Sequence, residues 1–315
     1  MAKAVTPLQE IDPDDIRQNP DNPRLIFQEE EMNELLESIR EVGIKVPVSV
    51  YSDGTRYTLL DGERRWRCAK KLNLRVVPAI VQPKPTRLEN LLMMFNIHNV
   101  RVDWDLMPMA LKLGEVRDMV AKEGKETTPK ALAAVTGVRL ATIRRALELL
   151  DLPKKYQTML LKEAEKPRNQ QRIKADLFIE VYKSMHAIER YIPEVFDRVT
   201  KGQYVDSMVK KYVDDVVENV VSFRQVSKIA RGELAGVDDQ KAAPTIIKLV
   251  RDGQYSIDQA YEDTVKMAYE QRDLLGKLRG ITARLGTYEI GRSLSEETRT
   301  ALEQLRAEID RLLRQ

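Results

Sequence analysis

Asp61-Gly62-Glu63-Arg64-Arg65-Trp66-Arg67-Cys68-Ala69 decides how the rest of this 315-residue chain is read. The run Arg56 to Leu60 before it has the composition of a strand, and the residues after Gly62 are basic and helix-forming. A helix that starts abruptly after a strand leaves its first backbone N–H groups without intrahelical partners, and its dipole favours negative charge there. Gly62 allows close approach of the backbone to an anion. Arg64 and Arg65 add planar guanidinium forks that match phosphate oxygens. Two readings stay open on these nine residues: an anion-binding corner suited to a nucleotide tail, or a solvated basic face on a surface helix.

Working outward, the pattern predicts strands at Leu8 to Ile11, Val48 to Tyr51, Arg56 to Leu60 and Val76 to Val81, and a helix from Glu29 to Val42. Met32, Leu35, Leu36, Ile39 and Val42 fall on one face of that helix, a core stripe that Gly43 terminates. Asp53-Gly54 between two β-rich runs signals a hairpin. The result is a small α/β domain. Asn19-Pro20-Asp21-Asn22-Pro23-Arg24 is a loop stiffened by two prolines, which holds Arg24 in fixed geometry.

These stretches resemble the boxes of the ParB family, the DNA-clamp proteins of chromosome and plasmid segregation. Asn19 to Arg24 is similar to its N-P-x-x-P-R box, and Gly62 to Ala69 to its G-E-R-R-x-R-A box, with Cys68 at a position that is commonly alanine. Val76-Val77-Pro78-Ala79-Ile80-Val81 resembles the following strand. The resemblance implies a ParB/sulfiredoxin-like fold that binds CTP with Mg, and carries over Arg24, Gly62, Glu63, Arg64 and Arg65 as nucleotide contacts. Asn96-Ile97-His98-Asn99 and Asp105-Leu106-Met107-Pro108 resemble the third box, E-N-x-Q-R-x-D-L-x-P, and carry over Asn96 as a phosphate ligand or part of the Mg shell. Phe95 stands where the family has an acidic residue and Asn99 where it has arginine. Phenylalanine donates nothing to the hard oxygen sphere of Mg²⁺, so weak hydrolysis of CTP to CDP and phosphate and binding without turnover are both open. Glu89, Asp103 and Glu63 are the alternative carboxylates.

Thr128 to Leu150 has helix-turn-helix spacing. Thr128-Pro129 opens a helix that runs to Thr136, Gly137 makes the turn, and Arg139 to Leu150 forms the second helix. Ala133, Val138, Ile143 and Leu147 are expected between the two helices. Arg139, Thr142, Arg144 and Arg145 are expected outward, toward the edges and phosphates of double-stranded DNA. The segment lies where the family carries its DNA reader, and Leu152-Pro153 follows as it does there.

The net charge is +3, so nucleic-acid affinity has to come from local basic patches. One cysteine excludes an intramolecular disulfide framework, and His98 and His186, far apart in sequence, make no metal pair. No apolar run is long enough for a membrane span, and Met1 to Glu10 has no signal-peptide core. A cytoplasmic protein associated with nucleoid or plasmid is expected.

The architecture expected is α+β: an N-terminal nucleotide-binding domain over 1–85, an all-helical DNA-binding domain over 86–200 with its helix-turn-helix at 128–150, and a helical C-terminal region over 201–315. Tyr156 to Glu163 and Ile173 to Tyr191 read as helices, and Lys166 to Lys174 as an exposed linker or a phosphate-gripping loop. Gly202-Gln203-Tyr204 and Gly253-Gln254-Tyr255 recur in similar settings. Leu302, Leu305, Ile309 and Leu312 have a/d spacing, and with the preceding helix they predict an antiparallel hairpin over 265–315 for dimerisation or partner binding. The family resemblance implies a homodimer and a ParA-like ATPase partner. Two other functions are weighed against a CTP-binding clamp: a non-hydrolysing transcriptional regulator of a plasmid, phage or mobile element, and a nuclease on the same fold.

Overall fold

The computed structural model describes residues 8–22, 24, 27, 29–99, 105–235, 241–288 and 294–314. The N-terminal part is a five-stranded mixed sheet in the order β1-β5-β3-β4-β2. Its strands are β1 (Leu8–Ile11), β2 (Ile16–Arg17), β3 (Val48–Ser52), β4 (Tyr57–Asp61) and β5 (Val77–Gln82). β3 and β4 form the expected hairpin, closed where the Asp53 N–H donates to the Arg56 carbonyl at 3.0 Å, with Gly54 at φ 101°. β5 lies parallel to β3 and pairs antiparallel with β1. The pattern did not predict β2, because two residues parallel to β4 are too short to show alternation.

Two helices lie against each other beside the sheet, α1 (Glu29–Val42) and α2 (Glu63–Lys71). Leu36 and Ile39 of α1 close over Cys68 of α2, while Val48, Val50, Leu59, Ala69, Val77 and Ala79 make the sheet core. Val42, expected in the α1 core stripe, is exposed. The α1 helix ends at Gly43, with φ 71° and its N–H on the Ile39 carbonyl.

The rest is helical. α3 (Arg87–Asn99) leads to α4 (Leu106–Lys122), α5 (Pro129–Thr136), α6 (Leu140–Leu150), α7 (Lys154–Ala164) and α8 (Ala175–Tyr191). α9 (Lys201–Val213), α10 (Phe223–Ala230), α11 (Ala242–Arg251) and α12 (Ile257–Thr264) follow, then α13 (Lys266–Gly286) and α14 (Glu296–Leu313). One hydrophobic core runs from Leu91 to Val265, so α4 to α12 share a continuous interior. The buried Lys211 ammonium in it, 1 % exposed, is satisfied by the carbonyls of Asp252 and Tyr255, to which it donates, whereas Gln225 Oε1 on α10 is buried without a hydrogen-bond partner.

Two expectations are revised here, and the C-terminal helices form as expected. The Lys166 to Lys174 segment is tied down, because buried Glu163 accepts from Lys166 and from the N–H groups of Arg172 and Ile173. Gly202 lies inside α9, whereas Gly253 is in the turn before α12, so the two Gly-Gln-Tyr triplets occupy different settings. α13 and α14 both form, yet neither buries a residue, and Ile309 and Leu312 are exposed. An a/d stripe fixes where a helix needs a partner and does not supply one.

Candidate functional site

Gly62 takes φ 95° as the residue before α2, and no side chain caps the helix start. Only glycine fits: a Cβ there would stand 2.8 Å from Val48 Cγ1 and 3.1 Å from the Arg65 guanidinium. The strand β4 therefore turns directly into α2, and the first turn of α2 borders a cavity of about 320 Å³. Arg24, Gly62, Glu63, Arg64 and Arg65 all line it. So do Asn19, Asn22, Phe27 and Asp61, with Leu35 from α1, Leu59 and Leu60 from β4 and Met94 from α3.

Within the cavity wall the guanidinium groups lean on carboxylates. The Arg24 side chain, 9 % exposed, reaches Glu31 at 3.5 Å and stacks on Phe27 at 5.0 Å. Arg64 Nη1 is 3.4 Å from Glu31 Oε2 and its Nη2 donates to the Glu31 carbonyl, while its buried Nε has no hydrogen-bond partner. Arg65 is turned partly away from the cavity, donating to the carbonyls of Val46 and Pro47 and to Asp61 Oδ2 at 3.2 Å. Glu63 accepts from Asn22 Nδ2 at 2.6 Å and from Arg67 at 2.6 Å.

Asn96 is not among the lining residues: it is exposed on α3, and Met94 is the residue through which that helix meets the cavity. Phe95 is 1 % exposed and belongs to the helical core. Of the alternative carboxylates, Glu89 is used to cap its own helix, accepting from the N–H and Oγ1 of Thr86, and Asp103 lies outside the described residues. The side chains of His98 and Asn99 are likewise outside them. Among the described residues no group of three or more His, Cys, Asp or Glu side chains is placed to hold a metal ion. Cys68 is 1 % exposed, and burial pushes its thiol pKa up despite Arg64 and Lys71 nearby, so it packs and does not present a thiolate.

Asn19, Asp21 and Asn90 carry no local sequence signal of the contacts they make. Asn19 and Asn90 are buried and bonded amide to amide, and both approach Asp21. Asn19 and Asp21 lie in the Pro-rich loop that carries Arg24. An asparagine in a Pro-rich loop ordinarily signals a turn, so its buried partner 71 residues away left no local trace.

A second surface is built on α5 and α6. Thr128 caps α5 at the Ala131 N–H, Pro129 is its first residue, and Gly137 turns the chain with φ 71°. Val138 and Ile143 are buried as expected, but Leu147 is only half-buried, and Ala146 and Leu149 fill the interior instead. Arg139, at the start of α6, and Arg144 are exposed. Thr142 is half-buried, and Arg145 is paired with Asp176 at the start of α8. No helix among the described residues is long and apolar enough to cross a membrane.

Residues 2–99 match the family model described as the ParB N-terminal domain. The chromosome-partitioning protein Spo0J of Thermus thermophilus is 37 % identical over 138 residues, covering 44 % of this chain and 49 % of that protein. The chain spans about half the length of the curated relatives it matches. Among solved structures, the C-terminally truncated ParB of Caulobacter crescentus complexed with CTP-γ-S is 30 % identical, with 50 % of this chain and 85 % of that one covered at a TM-score of 0.29. The same protein complexed to the centromeric parS site is 21 % identical, covering 71 % and 98 % at a TM-score of 0.42.

Proposed function

From the premise that this chain belongs to the ParB family, we propose that it is a partition protein of a plasmid or chromosome that binds double-stranded DNA through α5 and α6 and CTP in the Gly62 cavity. The observation that carries the nucleotide half is convergence: Arg24, Gly62, Glu63, Arg64 and Arg65, spread over 42 positions of sequence, line one cavity at an uncapped helix start. The donor set suits an anion. The Arg24 and Arg64 guanidinium groups face it, and the Arg64 Nε is a buried donor with no acceptor, an arrangement stabilised by a phosphate oxygen. The Caulobacter protein, 30 % identical, supports CTP as the nucleotide.

In this reading Arg24 and Arg64 hold phosphate oxygens and the first-turn N–H groups of α2 complete the cradle. Magnesium would enter with the nucleotide, since Mg²⁺ keeps several waters and takes few protein ligands when phosphates are present. It would neutralise phosphate charge there. Asn96, exposed on α3 and outside the cavity lining, is given no phosphate contact in this reading. Arg139 and Arg144 are the proposed DNA contacts, with Thr142 and Arg145 beside them. The three regions divide as 1–85, 86–200 with its helix-turn-helix at 128–150, and 201–315. The exposed apolar stripes of α13 and α14 support a homodimer, and a ParA-like ATPase would be the motor partner.

A second reading is a non-hydrolysing ParB-like regulator, favoured by Phe95, whose buried ring stands where the family resemblance places an acid. The two separate on one assay. Labelled CTP is titrated into the full chain with Mg²⁺, with and without a duplex the protein itself enriches from genomic fragments, and released phosphate is followed. Binding with DNA-stimulated phosphate release supports the clamp, and binding without release supports the regulator. No binding of CTP under either condition overturns the nucleotide half.

A further inference from the structure

We propose that Asp21, Asn90 and Lys112 form a positioning relay that couples occupancy of the Gly62 cavity to the disposition of α6, an inference that rests on the nucleotide reading above. The front of the relay is the cavity wall. Asn22 donates to Glu63 at the first position of α2, and its N–H donates to the Asn19 carbonyl, so an anion arriving at the helix start acts on Asn22 through Glu63. Asp21, between them, does not line the cavity. Its N–H donates to Asn19 Oδ1 at 3.0 Å, and its carboxylate faces the helical part of the molecule.

There the Asn19–Asn90 amide pair is buried and the ion pairs beyond it are partly so. Asn90 Nδ2 donates to Asp21 Oδ2 at 2.9 Å, and Asn19 Nδ2 to Asn90 Oδ1 at 2.8 Å, with Asn19 and Asn90 4 % and 5 % exposed. Lys112 of α4 donates to Asp21 Oδ1 at 3.1 Å and to Glu115 at 3.0 Å. Arg87, at the start of α3, pairs with the same Glu115. Two residues beyond Lys112, Gly114 packs so closely that a Cβ would stand 3.3 Å from the Leu150 side chain at the end of α6. A loop held by buried amides cannot shift without carrying its partners or leaving polar groups unpaired. Movement of the Asn19–Asn22 turn is therefore passed through Asp21 to α3 and α4, and through the close α4–α6 packing to the helix that bears Arg139, Arg144 and Arg145.

Coupling of this kind is reciprocal between two ligands. Its test uses the full chain, a fluorescent CTP-γ-S analogue with Mg²⁺, and the self-enriched duplex. In the wild type, nucleotide affinity is expected to change at least about fivefold on adding duplex. Asp21→Asn, which keeps size, and Lys112→Met, on a partly exposed side chain, are expected to keep the DNA-free nucleotide affinity within about twofold while bringing that ratio close to one. The double variant should go no further than either single. A wild-type ratio in either variant, or independent additive losses in the double, overturns the relay. Hydrogen exchange supplies an arm that needs no nucleotide. Duplex alone should alter exchange at residues 19–22 and in α4 of the wild type, and only in α4 of Lys112→Met. If CTP-γ-S fails to bind but this exchange pattern holds, the nucleotide reading has failed and the relay has not; an unchanged 19–22 turn in the wild type sinks the relay.

Discussion

Gly62→Ala is the sharpest single perturbation of the cavity corner, because two separable costs meet there. The first is conformational: an L-residue at φ 95° loses roughly 1–2 kcal/mol relative to glycine. The second is steric. The new Cβ would lie 2.8 Å from Cγ1 of Val48, which is fully buried in the middle of the sheet, and overpacking of a core of this kind costs about 1–3 kcal/mol. Gly54→Ala is the matched control, since Gly54 has φ 101° and nothing within 4 Å of its Cβ position. The prediction is therefore a loss of about 2–5 kcal/mol for Gly62→Ala against about 1–2 kcal/mol for Gly54→Ala. Urea unfolding of the full chain, followed by Trp66 fluorescence with Trp104 replaced by Phe, reads the part that contains both glycines. With a slope of about 1 kcal/mol per molar urea, the two midpoints should differ by roughly 1–3 M. If they agree within about 0.5 kcal/mol, Val48 has room to yield, and the close approach of β3 to the helix start does not fix this corner.

Three further outcomes follow from the same contacts. Asp176→Asn releases Arg145, and since exposed ion pairs are worth about 0.2–1 kcal/mol, duplex affinity should rise about two- to fivefold; unchanged affinity would remove Arg145 from the DNA surface. Glu31→Gln removes the carboxylate beside Arg24 and Arg64, so CTP should bind about two- to fivefold tighter, and weaker binding in a titration would contradict an anion site. The N–H groups of Arg56 and Thr55, aided by Arg17, hold the Asp53 carboxyl down at about 2 from its ordinary 3.8. Its folded pKa lies below its unfolded one, so its stabilisation of the hairpin is complete above pH 3.8 and lost as the pH falls to about 2; an Asp53 that titrates at its ordinary value in the folded protein, followed by NMR, would refute this.

The sheet unit was legible wherever the physics is local. Alternation gave β1, β3, β4 and β5, a glycine at positive φ gave both the α1 terminus and the hairpin, and the Thr128 cap with Gly137 located α5 and α6 to within a residue. What was not legible depends on partners distant in sequence. Arg65 reads as a phosphate fork next to Arg64, yet the carbonyls of Val46 and Pro47 take its donors. Arg145 reads as an outward groove contact, yet Asp176, 31 positions on, claims it. In the same way the Leu302–Leu312 stripe describes a helix face and is silent about what covers it.

The cavity's charge balance shows why a composition near neutrality conceals such a site. Arg24 and Arg64 share Glu31, Arg65 pairs with Asp61, and Arg67 holds Glu63, so each cation is already met by a carboxylate and no excess registers in the net charge of +3. Binding an anion here is an exchange, not a neutralisation of free charge: phosphate oxygens replace Glu31 oxygens on Arg24 and Arg64. The pair distances of 3.4 and 3.5 Å are long for charge-assisted bonds, which shorten to about 2.7–2.9 Å when well formed. Phosphate can therefore gain what Glu31 does not supply, including an acceptor for the buried Arg64 Nε. The Arg65 pairs are shorter and anchor that side chain to the strand before α2, so it sets the shape of the corner while Arg24 and Arg64 carry the exchange. An Arg65→Lys variant would accordingly loosen the corner even with its charge intact, because a single ammonium cannot span two carbonyls and a carboxylate in the fork geometry that arginine provides.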